Sequence, residues 1–260
     1  MTGITGLSED FGGRVAVVTG GLSGIGKAIA HRLAAGGAHV DILDVQDEKA
    51  AAVINECRRL GGEATYRRCD LFDASAVFET FAAIEAAHGR LDYAVNNAGF
   101  GILAKPFGEV SAREIDQLLG INVRAHMLCM VEELRIMRRG KFGRIVNTAS
   151  GAGLVAGKGM ALYSACKHAI VGLTKAAALD YARDNITINA IAPGTVETEL
   201  VSAIKETSPD DYAAWAASNP IGRLAQPDEM ARVVAFLCLQ DSAFINGTVI
   251  PVDSGYVAGK

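Results

Sequence analysis

The 260-residue chain is short of the features that mark several classes of protein. It has no run or patch of basic residues: 25 Lys and Arg stand against 29 Asp and Glu, for a net charge of −4. Nucleic acid and acidic membrane surfaces are therefore excluded as partners. No apolar run reaches the ~20 residues that cross a bilayer. The five cysteines (57, 69, 129, 166 and 238) are odd in number and lack metal-ligand spacing, so they read as reduced, buried thiols. The first eleven residues lack the basic-then-apolar order of a secretory signal. A soluble, cytoplasmic protein is expected.

What is present points to a well-packed α/β protein. Half of the residues are hydrophobic and 29 are glycine. Short β-branched runs alternate with helical patterns from Gly13 to the end, with no internal linker. This predicts one domain over 13–260 behind a loose extension, 1–12.

The first run, Arg14–Thr19, enters Gly20-Gly21-Leu22-Ser23-Gly24-Ile25-Gly26, and a helical pattern follows. A glycine turn between strand and helix lets backbone approach a pyrophosphate, which then lies over the helix N-terminus. The spacing is Gly-x-x-x-Gly-x-Gly, a variant of the commoner dinucleotide turn. A second strand, His39–Leu43, ends at Asp44. An acid there accepts hydrogen bonds from the adenosine ribose and repels a 2′-phosphate. With no Arg or Lys in the turn or directly after Asp44, NAD is favoured over NADP. Asp41, alternating with Val40 and Ile42, is read as a hydrogen-bonded strand residue instead.

A third strand ends at Cys69-Asp70-Leu71, where Asp70 can meet an adenine ring and Asp73 is the better cap for the next helix. The fourth strand, Leu91–Val95, precedes Asn96-Asn97-Ala98-Gly99, small and amide residues suited to a crevice floor. Ser111 and Glu114 form a capping-box pattern at the start of a helical stretch to Arg138 that contains the polar Asn122. The fifth strand, Gly143–Thr148, ends beside Ser150. A sixth, Ile186–Ile191, leads to Pro193-Gly194, and a long connection carrying Tyr212 and Trp215 runs on to Pro220. A helix over 228–239 and a strand over 248–252 close the chain.

Tyr163 and Lys167 open the helix predicted over 162–183. Four residues apart, they share one face. A phenol titrates near ~10, and a neighbouring cation favours the phenolate, so the pair predicts a Tyr163 of lowered pKa able to act as acid and base.

In these motifs and their order the chain resembles the short-chain dehydrogenase/reductase family over Gly13 to Val257. Thr19–Gly26 matches the cofactor turn, Asn96–Gly99 the sheet motif, and Asn122, Ser150, Tyr163 and Lys167 the catalytic tetrad. The resemblance implies a single-domain Rossmann fold: a doubly wound, seven-stranded parallel sheet with helices on both faces, assembled as a homotetramer. It implies that Tyr163 is the general acid-base and that Ser150 binds the substrate oxygen. It also implies that Lys167 holds the nicotinamide ribose and that Asn122 anchors a water in a proton relay. Asp44 matches the NAD-selecting position, Asp70-Leu71 the adenine contact, Pro193-Gly194 the nicotinamide-side motif, and Val196 with Thr198 the carboxamide contact. The Tyr-x-x-x-Lys spacing differs from that of the family's enoyl reductases. Two departures stand out: Ser254 where relatives often carry Gly, and Cys166 inside the catalytic segment, read as a packing thiol.

The expected reaction is NAD-dependent interconversion of a secondary alcohol and a ketone. Segments 100–107, 151–160 and 198–215 are candidates for the substrate pocket. Their apolar members (Phe100, Ile102, Leu103, Leu154, Val155, Met160, Trp215) outnumber charged ones. None holds the Arg that clamps a carboxylate or phosphate, although Lys105, Lys158 and Lys205 remain available. A neutral, fairly hydrophobic or cyclic substrate is favoured. Alternatives are an NADPH-dependent 3-oxoacyl-thioester reductase and a non-catalytic NAD-binding regulatory protein.

Overall fold

In the computed structural model, residues 10–101 and 104–260 are described, Leu200 and Ile204 by backbone alone. Seven strands form one all-parallel sheet in the order β3-β2-β1-β4-β5-β6-β7. They are β1 (Val15–Thr19), β2 (His39–Asp44), β3 (Glu63–Arg68), β4 (Tyr93–Asn96), β5 (Gly143–Thr148), β6 (Ile186–Pro193) and β7 (Val249–Val252). Strands covered on both faces carry continuous apolar runs, and β1 and β6 are buried at every position.

One face of the sheet packs against α1 (Gly24–Ala35), α2 (Asp47–Arg59) and α9 (Pro227–Cys238), through Ile29, Leu33, Val53, Met230 and Val234. The other packs against α3 (Ala74–His88), α5 (Ala125–Gly140) and α6 (Ala161–Tyr181), through Val77, Phe81, Met130, Met137 and Ala178. The expected fold class is therefore found. Strand order reverses between β1 and β4, which opens a crevice beyond their carboxyl ends.

Several boundaries move for visible reasons. The fourth strand begins at Tyr93, not Leu91, because Asp92 turns its carboxylate to the Val15 amide (2.9 Å) and the Arg14 guanidinium (2.8 Å). Of the extension expected to be loose, residues 1–9 lie outside the described part. Phe11, however, is fully buried, sets its ring edge-on to Tyr93 and donates its amide to Gly36 O. The stretch 111–138 is not one α-helix. It consists of α4 (Ala112–Leu119), a wider π turn (Gly120–Arg124) and α5, with the predicted Ser111–Glu114 capping box in place. The long connection after β6 is likewise folded, as α7 (Glu199–Thr207) and α8 (Pro209–Ser218). Asp73 caps α3 as expected, accepting from Ser75 N at 2.9 Å.

The five cysteines are all free and buried. Cys166 packs beside Leu118 and Leu162, and burial pushes its thiol up, which makes it a packing residue. Ser254 has φ +55, in the left-handed region that favours glycine.

Between α5 and the sheet lies a buried polar chain. Asn96 Nδ2 donates to Glu133 Oε2 and to Asn147 Oδ1 (both 3.1 Å), and Asn147 Nδ2 donates to Thr174 Oγ1 (3.0 Å). Glu133 is fully buried, its Oε1 has no partner, and burial pushes its carboxyl up to about 8. The folded protein therefore keeps this proton across a range where the unfolded chain releases it. That contribution is whole below the ordinary carboxylate range and is lost as pH rises towards 8. Glu133→Gln is isosteric with the protonated acid. Denaturant unfolding at pH 5 and pH 8 should show the variant gaining on the parent by about 1–3 kcal/mol at the higher pH.

Candidate active site

The turn after β1 brings backbone to the crevice. Gly24 has φ +50, and a Cβ on Gly26 would stand 2.1 Å from Gly20 O, so only glycine lets α1 lie this close to the strand. Ser23 caps α1 without a side-chain hydrogen bond, and the first turn carries no acid. The first amides of α1 thus face the crevice with their partial positive charge, an arrangement that suits a pyrophosphate. One of them, Gly24 N, donates to Glu199 Oε2 of α7 at 2.9 Å.

The β4 end is tied to this turn. Thr19 Oγ1 accepts from Asn97 N and Ala98 N (both 3.0 Å), and Asn97 Nδ2 donates to Thr19 O at 3.2 Å. Asp44 closes the far end, buried, with Oδ2 accepting from Leu22 N (3.1 Å) and Oδ1 from Val45 N (2.7 Å) and Gln46 N (3.2 Å). These bonds fix the carboxylate at the rim.

The crevice is a cleft of about 720 Å³. Of the residues expected from sequence, Gly20, Ser23, Gly24, Ile25, Asp44, Asp70, Leu71, Asn97, Ala98, Gly99, Ser150, Tyr163, Lys167, Pro193, Gly194, Val196 and Thr198 line it. Gly26 and Asn122 stand outside this lining. Asn122, on the π turn, is fully buried with Nδ2 donating to Phe100 O (2.8 Å) and Oδ1 unpartnered. Reasoning from sequence missed Lys49, Phe72, Ile121, Thr148 and Glu199 on the lining. Thr148 was detectable as a strand-end residue two positions before Ser150. Glu199 follows Thr198 at the start of a helix not foreseen.

Tyr163, Ser150 and Lys167 come together, but not with the electrostatics expected. Lys167 is buried, donates to Thr148 O at 3.0 Å, and lies 5.6 Å from the centre of the Tyr163 ring. Burial pulls its amine down to about 8. The Tyr163 phenol is raised rather than lowered: burial outweighs a hydrogen bond with Ser150, which acts in the opposite direction. The predicted lowering by Lys167 is therefore corrected. The amine turns to the strand, and desolvation dominates the phenol.

Around the mouth, Phe100 lines the cleft, whereas Leu154 packs against the Ile170–Val171 cluster. Ile102 and Leu103 lie outside the described residues. Lys105 is held by both carboxylate oxygens of Glu114 (2.6 and 2.8 Å), and Lys205 lies over the Tyr212 ring. Tyr212 in turn hydrogen-bonds Glu197.

A family model described as enoyl-(acyl carrier protein) reductase matches residues 20–257. The 2,5-dichloro-2,5-cyclohexadiene-1,4-diol dehydrogenase of Sphingobium indicum is 38% identical over 251 residues, covering 96% of this chain and 99% of that protein. The cyclohexanol dehydrogenase of an Acinetobacter species is 36% identical over 252 residues, 97% and 98% of the two chains. Among solved structures, levodione reductase superposes with a TM-score of 0.91 at 36% identity, over 96% of this chain and all of that one. ElxO, solved with NADP bound, has a TM-score of 0.89 at 29% identity, over 94% and 99%. The chain belongs to the short-chain dehydrogenase/reductase family. It is an oxidoreductase of the dehydrogenase type acting on CH–OH groups.

The cleft fits the nicotinamide dinucleotide that this family uses. The start of α1, which lacks a Ser23 side-chain cap and an acid in its first turn, suits its phosphates, and the small residues at 20 and 98–99 leave room for a flat ring system. A Cβ on Gly99 would stand 2.5 Å from Asn122 Oδ1. Gly99→Ala should thus displace Asn122, cost about 1–3 kcal/mol in denaturant unfolding and weaken dinucleotide binding measured by calorimetry.

Proposed function

We propose that the protein interconverts a neutral, cyclic secondary alcohol and its ketone, using NAD. The observation that carries this reading is the meeting of Ser150, Tyr163 and buried Lys167 at the end of the dinucleotide cleft. When bound, the nicotinamide ring takes up the hydride in oxidation and returns it in reduction. Ser150 holds the substrate oxygen by its hydroxyl. Tyr163 Oη gives a proton to that oxygen in ketone reduction and takes it back in alcohol oxidation. Lys167, anchored on Thr148 O, holds the ribose end of the cofactor. Asn122, with its unpartnered Oδ1, holds a water that passes protons onward.

Asp44 supports NAD, because a carboxylate fixed at the end of β2 would repel a 2′-phosphate. The cofactor contacts proposed beside it are Asp70 and Leu71 for the adenine, and Pro193, Gly194, Val196 and Thr198 around the carboxamide. A cyclic substrate is supported by the six-membered rings in the names of two relatives and by Phe100 at the cleft. Engagement of Lys105 with Glu114 and the absence of Arg from the cleft lining among the described residues favour a neutral one. The single domain over 13–260 acts as a homotetramer, a reading supported by exposed Met127 and Val131 on α5 and Leu179 on α6. Its free, buried thiols suit the cytoplasm.

Three measurements test this. With NAD and a panel of cyclic alcohols including cyclohexanol, Tyr163→Phe should lower turnover at least ~10²-fold while NAD affinity is kept. Retention of most activity would overturn the role of Tyr163. Because burial raises the phenol, alcohol oxidation should climb from neutral to alkaline pH while ketone reduction falls. Asp44→Ala should narrow the preference for NAD over NADP by about 10-fold or more in kcat/KM; equal use of both by the parent would refute the cofactor assignment.

A further inference from the structure

On the face of the sheet covered by α3, at the edge opposite the cleft, three side chains converge that the reaction does not use. His39 and Asp41 lie two apart on β2 and so point to the same face. His88 is the last residue of α3. Asp41 Oδ2 lies 2.9 Å from His88 Nε2 and 3.9 Å from His39 Nε2, and the ligand atoms of all three fall within 4.8 Å of one another. Asp41 is fully buried. Its Oδ1 accepts from Arg67 Nε at 2.5 Å, but Oδ2 and His88 Nε2 are both buried without a hydrogen-bond partner.

The carboxylate oxygen and the imidazole nitrogen face each other at 2.9 Å in an alignment that falls short of a hydrogen bond, so the contact leaves both buried atoms incompletely satisfied. We propose that His39, Asp41 and His88 form a binding site for a single borderline divalent transition-metal ion, zinc above all. Two imidazoles and one carboxylate are the donors such ions prefer, and magnesium or calcium would demand more oxygens. The ordinary separation of ligands on a zinc ion is close to that already present between Asp41 and His88. His39, whose Nε2 now rests 3.0 Å from Thr65 Oγ1, swings in by about 1 Å to complete the set. Arg67 supplies the outer hydrogen bond that orients a ligating carboxylate. The site is reached from solvent past the half-buried His39 ring, which leaves the remaining coordination positions to water. A bound ion ties the start of β2 to the end of α3.

The test uses the untagged, metal-stripped full-length protein titrated with zinc chloride by calorimetry. One site per chain is expected, weakened at least ~10-fold in His39→Ala and in His88→Ala. His31→Ala serves as control, because that imidazole also faces a carboxylate, Glu56 at 3.1 Å, and zinc binding should survive its loss. Absence of binding, or loss of binding in the control alone, overturns the proposal. Should a variant fail to fold, wild-type protein decides. Zinc must protect His39 and His88 from diethyl pyrocarbonate, read by mass spectrometry, while the reactivity of His168 is unchanged. Equal modification of His39 and His88 with and without zinc overturns the site and leaves a plain carboxylate–imidazole contact.

Discussion

The structure turns on an amine that has been taken out of water. A buried ammonium is costly, and Lys167 offsets that cost with one strand carbonyl, Thr148 O, at the lining of the cleft. The contact joins α6 to the end of β5, and Tyr163 stands one turn earlier on the same helix. Gly153 belongs to the same constraint, since a Cβ there would stand 2.8 Å from Lys167 O. The loop from Ser150 must therefore pass close over the helix, which carries the Ser150 hydroxyl to the phenol.

The same burial explains why pairing Tyr and Lys on a helix face does not by itself give an acidic phenol. Charge attraction and desolvation compete, and here the phenol and the amine are both driven towards their neutral forms. Burial thus holds the phenol in its protonated form and brings the Lys167 amine, lowered to about 8, closer to neutral pH than a free lysine.

What could be read from the chain divides along physical lines. Strands covered on both faces leave continuous β-branched runs, so β1, β5 and β6 were legible nearly to the residue, and the turn glycines announced themselves through backbone needs. The lining of the cleft between Asp44 and the glycine turn followed, since both act through their own backbone surroundings. The sheet's connection to its helices was less visible. The π turn at Gly120–Arg124 has the same apolar periodicity as the α-helices that flank it, and only its Asn122 hinted that one residue too many had been fitted into the turn. The α7–α8 pair reads as open chain because each helix is only nine or ten residues long and Ser208-Pro209 breaks the pattern between them. The cluster at Asp41 was half seen: the strand showed a bonded acid, but Arg67 and His88 come from elements 26 and 47 positions later, which no local pattern reveals.

Strand order has a consequence for the order of assembly. Because β1 pairs with β4 across some 77 residues of chain, three strands and their helices must be made before the cleft has a second wall. During synthesis the β1–β2–β3 half emerges first, with the edge of β1 uncovered, and its glycine turn hangs over nothing until Asn97 arrives. The cleft is thus a late product of a long-range closure, and a ribosome that stalled before residue 93 would release half a sheet with an exposed hydrophobic edge.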